Sequence, residues 1–429
     1  MRGTRGTKII LYFAEIVLCV CAPAAAQTGK RLWVLTQPDE AVEYGLADFS
    51  AKQIVKIPRE ALKNPENFAI NGKGQMLFVP GLIVIQPGDQ SVGADKVWFW
   101  NGRTGPPLDR GMTRKTVLEG TRASVVETTP QWALSADGQQ IYRFANQFRK
   151  LEKKGDGGEE SVNTTFMAWK TDLTGAMPEQ IAEFPFPPCS CETMVCSETC
   201  PEAEFWWPDA GVNDFFTVTN RIQGQVSMTY QGSYLYRRSQ GKWSRSGLPM
   251  VLERMLDAAQ GGEILVHAIL DGGCCGWENQ GNDQTLLTRG GKSIVLFDER
   301  KRYANPDYDV SFFTSNAMLS PNAGLVAMTI TSSLLPGMEL RLSDEGKADA
   351  SELARIRRAL KECPAVEILK IGDPPKSVAR IPGASLAGWL NDKEILLVEG
   401  GSIVAFEFAT GARRKSRIAV PKESLVFLR

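Results

Sequence analysis

The chain has 429 residues, 43% apolar and 23% charged, with 49 basic and 49 acidic side chains in balance. That length holds two or three ordinary domains or one large all-β domain, and the composition is that of a soluble globular protein. No basic cluster is large enough to grip phosphates, which excludes nucleic acid as a partner; the short run Arg413-Arg414-Lys415 reads as a solvated strand end.

Residues 1–26 are expected to be a secretory signal. Arg2, Arg5 and Lys8 form a positive head, Ile9 to Cys21 an apolar core, and Ala24-Ala25-Ala26 a small-residue cleavage site. Cys19 and Cys21 do not follow the small residue a lipoprotein site needs, so lipidation is rejected. Removing this segment leaves 46 basic against 48 acidic residues, a net charge of −2 over 27–429. No later stretch offers about 18 consecutive apolar residues, so no membrane span is expected and the product is periplasmic or secreted.

From Arg31 onward, short runs rich in β-branched and aromatic residues follow one another, separated by turn signals. Residues 31–36, 41–46 and 53–57 make a first group. A second takes the hairpin 68–78, turning at Asn71-Gly72, and the alternating run 96–102. The third is built on 131–144, two strands joined by Ser135-Ala136-Asp137-Gly138. There Gly138 can take positive φ and Asp137 can bond its own backbone. Residues 166–175 and 180–186 complete it, while Lys150 to Asn163, charged and Gly-rich, is expected as a mobile loop. Groups four to seven take 215–243, 255–297, 312–381 and 386–420. Gly290-Gly291-Lys292-Ser293 lacks the upstream glycine of a phosphate loop and reads as a hairpin turn. One helix interrupts the strands. Asp349-Ala350-Ser351-Glu352 has the capping-box form, Leu353, Ile356 and Leu360 follow at helical spacing, and Pro364 stops the run. This insertion, 340–364, is expected to decorate the flank of the sixth group.

Looser copies of the 131–144 hairpin recur at 68–78, 317–328 and 388–397. A hairpin repeated around polar Asx/Gly turns is the inner half of a propeller blade. With the turn Ser320-Pro321-Asn322-Ala323-Gly324 and the strand endings Asp172-Leu-Thr-Gly175 and Phe408-Ala-Thr-Gly411, the chain resembles the TolB-like and WD40-like propellers of exported bacterial proteins. The resemblance implies an all-β fold: a single β-propeller over 27–429, of seven blades, with six as the alternative.

Cysteine is the most informative residue for chemistry. Cys189, Cys191, Cys196 and Cys200 crowd one loop and Cys274-Cys275 another. In an exported chain this spacing reads first as disulfides, within the first loop or between the two, and the pairing stays open. Four thiolates could instead hold a soft metal, but the spacing is unlike the paired C-x2-C of zinc ribbons, and disulfides are preferred. Cys363 is either buried and free or paired with a loop cysteine. The second loop also carries Asp271, Trp277, Glu278 and Asp283. Calcium is considered there, but the spacing departs from known calcium loops, and a disulfide-held turn is preferred. If the two loops meet, Trp206, Trp207 and Trp277 line a site for a carbohydrate or peptide. Rim packing explains these tryptophans equally well.

Catalytic motifs are thin. The one histidine, His267, lies in the apolar run Ile264 to Leu270 and reads as a strand residue. No G-x-S-x-G elbow and no C-x-x-C-H haem site occur, and no cofactor or metal is expected. The resulting expectation is a non-catalytic binding scaffold for a protein, peptide or carbohydrate, acting through the Cys/Trp loops or a carboxylate-lined channel mouth. The alternatives are a hydrolase or lyase using channel-mouth Asp and Glu, and a metal-binding protein working through the Cys189–Cys200 loop.

Overall fold

The computed structural model describes residues 30–36, 40–56, 68–70, 76–78, 96–100, 108–109, 116–117, 123–134, 140–152, 159–172, 179–185, 202–206, 215–223, 228–239, 242–259, 262–269, 284–298, 309–334, 337–342, 349–421 and 424–428. Among them the strands form seven antiparallel sheets that follow one another along the chain. Sheet 1 joins Leu32–Thr36, Glu40–Tyr44 and Ala51–Lys56 to the last strand, Leu425–Leu428. Sheet 2 takes four short strands from Phe68–Ile70 to Leu108–Asp109. Sheet 3 has five strands, from Thr116–Val117 to Glu179–Pro185, and sheet 4 has four, from Glu202–Trp206 to Lys242–Gly247. Sheets 5 (Val251–Asp298), 6 (Phe312–Pro382) and 7 (Ala384–Ala419) are four-stranded meanders.

Sheet 7 shows why these runs read as nearly continuous apolar strands. Ile395, Leu397, Val404 and Phe406 pack towards Val366, Ile368 and Ile381 of sheet 6. The alternate residues Leu396, Ile403 and Ala405 pack towards Leu32 and Val34 of sheet 1. A period of two places consecutive residues on opposite faces, and here both faces are covered. Each such buried Ile or Leu contributes roughly 1.5–3 kcal/mol. Separate clusters likewise join sheet 4 to 5 and sheet 5 to 6. Side-chain hydroxyls and an amide stitch the seams. Ser233 Oγ accepts from the Leu252 amide and Thr329 Oγ1 from the Leu386 amide, both at 2.8 Å, while Asn316 Nδ2 donates to the Leu386 carbonyl at 3.1 Å.

The helix, α1 (Ala350–Glu362), lies between the second and third strands of sheet 6, as its sequence predicts. Asp349 Oδ1 accepts from the amides of Ser351 (2.8 Å) and Glu352 (3.4 Å). Ile356 and Ala359 are buried in the cluster shared by sheets 5 and 6, so the helix packs at that seam. The helix ends at Cys363, whose half-buried thiol makes no disulfide among the described residues. Burial pushes this thiol up from 9.0 to about 11, with Arg380 pulling it down and Glu362 pushing it further up. The folded state therefore favours the protonated thiol. Stability from this group is full below pH 9.0 and is lost as pH climbs towards about 11. Cys363→Ser is expected to flatten that alkaline loss in urea titrations, and the native thiol to resist a disulfide reagent at neutral pH until the protein is unfolded.

The strand reading is corrected in three places. Lys150 to Asn163 is not a loop for most of its length. Gln140–Glu152 and Glu159–Asp172 run as one long hairpin in which Arg149 faces Asn163 and Glu152 faces Glu159. Backbone pairing is indifferent to the charge that suggested a loop. Glu202–Trp206, not assigned as a strand from sequence, is the first strand of sheet 4, with Trp206 opposite Thr217. Leu425–Leu428, not assigned from sequence, pairs with Leu32–Leu35.

Candidate binding surface at the turn ends

The first two strands of each of sheets 5, 6 and 7 join at turns that gather at one end of the described structure. In sheet 6 the turn is the predicted Ser320–Gly324. Ser320 Oγ donates to Asn322 Oδ1 at 2.9 Å, Gly324 N donates to the same oxygen at 2.8 Å, and Leu325 N donates to Ser320 Oγ at 3.0 Å. These side-chain acceptors add to the turn's own backbone bonds, Ser320 N to the Leu325 carbonyl at 2.9 Å and Ala323 N to the Ser320 carbonyl at 2.8 Å. In sheet 7 Asn391 Oδ1 accepts from Lys393 N at 2.8 Å.

Neighbouring turns are tied together by charge. Asp257, at the end of the first strand of sheet 5, accepts from Ala258 N (2.8 Å) and from Leu319 N of sheet 6 (2.7 Å). Asp392 of sheet 7 accepts from Asn322 N of sheet 6 at 2.9 Å. Arg289 donates to the Ala323 carbonyl at 3.0 Å and pairs with Glu263 at 3.0 Å; Arg237 of sheet 4 reaches the Gly262 carbonyl of sheet 5 at 3.0 Å. Both acceptor residues sit at positive φ. Lys30, where the chain enters sheet 1, donates from Nζ to the Trp389 carbonyl at 2.6 Å. Burial lowers its ammonium below the ordinary lysine value, against the pull of Asp392 and Asp257. Trp389 Nε1 in turn donates to the Met318 carbonyl at 3.0 Å.

Beside this network lies a cleft of about 430 Å³ at the turn end of sheet 7. Asn391, Lys393, Glu394, Glu407 and Arg414 contribute to its walls. Glu394 and Glu407 are cross-strand partners, a register imposed by the two-residue turn Gly400-Gly401 at φ 55° and 70°. Arg414 pairs with Glu394 at 3.5 Å, donates to the carbonyls of Leu46 and Ala47 at 3.1 Å, and stacks over Phe49. Thr410 Oγ1 donates to Glu407 at 2.7 Å. The Lys393 ammonium has no such tie among the described residues.

Of the residues singled out from sequence, Trp207, Asp271, Trp277, Glu278 and Asp283 lie outside the described residues, as do Cys189, Cys191, Cys196, Cys200, Cys274 and Cys275. His267 is buried at 5% exposure in the second strand of sheet 5. No helix among the described residues is long and apolar enough to cross a membrane. Residues 1–26 lie outside the described residues, and with them the expected signal. Asp257, Asp392, Glu394, Glu407 and Lys30 were not singled out from the sequence. The paired glutamates could have been found by folding the strand back about Gly400-Gly401.

No family model and no curated relative matches the chain. Among solved structures it is similar to Pyrococcus horikoshii acylaminoacyl peptidase (13% identity, TM-score 0.40, covering 90% of this chain and 50% of that one). It is also similar to Porphyromonas gingivalis dipeptidyl peptidase 4 (9%, 0.28, 80% and 61%) and to a dihydro-heme d1 dehydrogenase (9%, 0.37, 83% and 64%). The chain spans between half and under two thirds of these proteins' lengths. At such identities and scores the likeness carries no activity or substrate across.

Proposed function

We propose that the seven sheets are the blades of one propeller, and that the chain is an exported, non-catalytic scaffold whose turn end receives a peptide or carbohydrate. Ring closure is supported by the pairing of the last strand with the first, by the packing of each of sheets 2 to 6 on the next, and by that of sheet 7 on sheet 1. The observation that carries the binding reading is the sheet 7 cleft, whose volume falls in the range of ligand sites and whose walls are fixed by hydrogen bonds. The nearby carboxylates are committed to backbone amides, a hydroxyl and an arginine. They hold shape. That leaves the Lys393 ammonium and the outer faces of the glutamates to meet a ligand.

Peptide and glycan arrays followed by titration calorimetry test this. Lys393→Ala and Glu407→Gln are expected to weaken the ligand found by roughly tenfold or more, about 1.4 kcal/mol, without moving the melting temperature. If neither substitution changes the affinity but alanine at Trp206, Trp207 or Trp277 does, the ligand sits on the Cys/Trp loops and the cleft is the wrong location.

One observation favours a second reading, a carboxylate hydrolase. Glu394 and Glu407 stand directly opposite each other, with Cβ atoms about 4.5–5.5 Å apart in such pairs. Carboxyl groups carried on neighbouring Cβ atoms are able to approach the roughly 5–5.5 Å at which a retaining glycosidase holds its pair. Turnover of an aryl glycoside that disappears in both Glu394→Gln and Glu407→Gln would install this reading in place of the scaffold.

A further inference from the structure

The outermost strand of sheet 7, Ala412–Ala419, carries Arg413, Arg414, Lys415 and Arg417, all exposed. It pairs with Ser402–Glu407 on one side and with no described strand on the other. Ile418 and Val420 are buried against sheet 1, and Arg414 reaches the same sheet. By the period of two, Arg413, Lys415 and Arg417 share the opposite face, and Arg413 lies over the ring of Phe406 on that face. Arg413 is neutralised by Glu399, whereas Lys415 and Arg417 make no ion pair among the described residues.

Charge on an edge strand guards against aggregation, and that explains one or two cations. The outer strands of sheets 1, 5 and 6 fit this: Lys52 and Lys56, Lys292, and Lys376 and Arg380. Sheet 7 goes beyond it, with a stripe at alternate positions along an edge that no described strand covers, its register shifted between Lys415 and Ala419, where the Ile418 amide donates to Ser416 Oγ at 3.2 Å. We propose that this edge docks an acidic, extended segment of a partner protein, which adds as a further strand and sets Asp or Glu beside Lys415 and Arg417. Backbone pairing supplies the geometry and the stripe selects the partner, since the same cations repel basic strands and leave neutral ones unmatched. The edge shares Ala412, Arg413 and Arg414 with the cleft wall, but Lys415 and Arg417 lie outside it, so these two test the edge while Lys393 and Glu407 test the cleft.

The probe is a fluorescein-labelled peptide, Glu-Val-Glu-Thr-Glu-Val-Glu, titrated by anisotropy against the full chain at low salt. Binding is expected, falling as salt rises. The double variant Lys415→Glu, Arg417→Glu should bind roughly tenfold or more weakly, because like charges would then face each other, with its thermal unfolding unchanged. N-methylation of alternate peptide amides, which keeps every charge, should abolish binding. Undiminished binding by the N-methylated peptide or by the double variant overturns the proposal. So does no binding at all, or tighter binding of a DNA oligonucleotide or an anionic vesicle than of the peptide.

Discussion

Deleting residues 424–429 is expected to destabilise the protein by about 4 kcal/mol or more, read as the unfolding free energy in urea. The strand Leu425–Leu428 pairs residue by residue with Leu35 back to Leu32. Leu428 is only 6% exposed and belongs to the cluster of Leu32, Val34, Ala387 and Leu396. Its Cβ comes so close to Gly388 that a side chain there would meet it at 2.8 Å. Truncating one such leucine to alanine costs about 2–5 kcal/mol, and losing the strand also strips hydrogen bonds from one side of Leu32–Thr36. Leu428→Ala should therefore cost less than the deletion, and Gly388→Ala should weaken the same seam by crowding Leu428. A deletion variant with the parent's unfolding midpoint would mean that this strand does not hold sheet 1 to sheet 7.

These two strands show where sequence reading stops. Leu425-Val-Phe-Leu428 is a fair strand by composition, but its partner lies at the other end of the chain and no local signal names it. Local rules succeeded where the partner is nearby. Asp349 caps the helix as its capping-box pattern predicts, and Gly290-Gly291, at φ 56° and 78°, turns a hairpin with Arg289 opposite Lys292. They failed at Lys150–Asn163 because composition reports affinity for water, whereas a paired hairpin satisfies its own backbone whatever side chains it carries. The candidate surface was hidden for a related reason. Asp257 and Lys30 look like ordinary surface charges until Leu319 and Trp389 arrive from other sheets, and what makes them special is a contact rather than a motif.

Asp257→Ala is the second large expected effect, about 3 kcal/mol in urea unfolding. A hydrogen bond to a charged acceptor contributes about 1.5–3 kcal/mol, and a buried amide left without a partner costs about 1–3 kcal/mol. Asp257 holds two amides, one on its own strand and one on Leu319 of the next sheet. Asn at this position keeps one acceptor oxygen and turns a donor towards the other amide, so Asp257→Asn should fall between the parent and the alanine variant. Lys30 adds a check that simple loss of packing cannot imitate. Its ammonium is disfavoured by burial and eased by Asp392 and Asp257, so the folded state gives up that proton more readily than the unfolded chain. The parent therefore gains stability from Lys30 as pH rises through the folded value towards 10.5, where Cys363 works in the opposite sense above 9.0. Removing Asp257 lowers the folded Lys30 value further and widens the window of that gain. Lys30→Met abolishes the gain. A double-mutant cycle of Asp257→Ala with Lys30→Met, run at neutral and at alkaline pH, should show coupling that shrinks as Lys30 loses its proton. Coupling that is absent, or unchanged with pH, would mean that Asp257 acts on Leu319 alone.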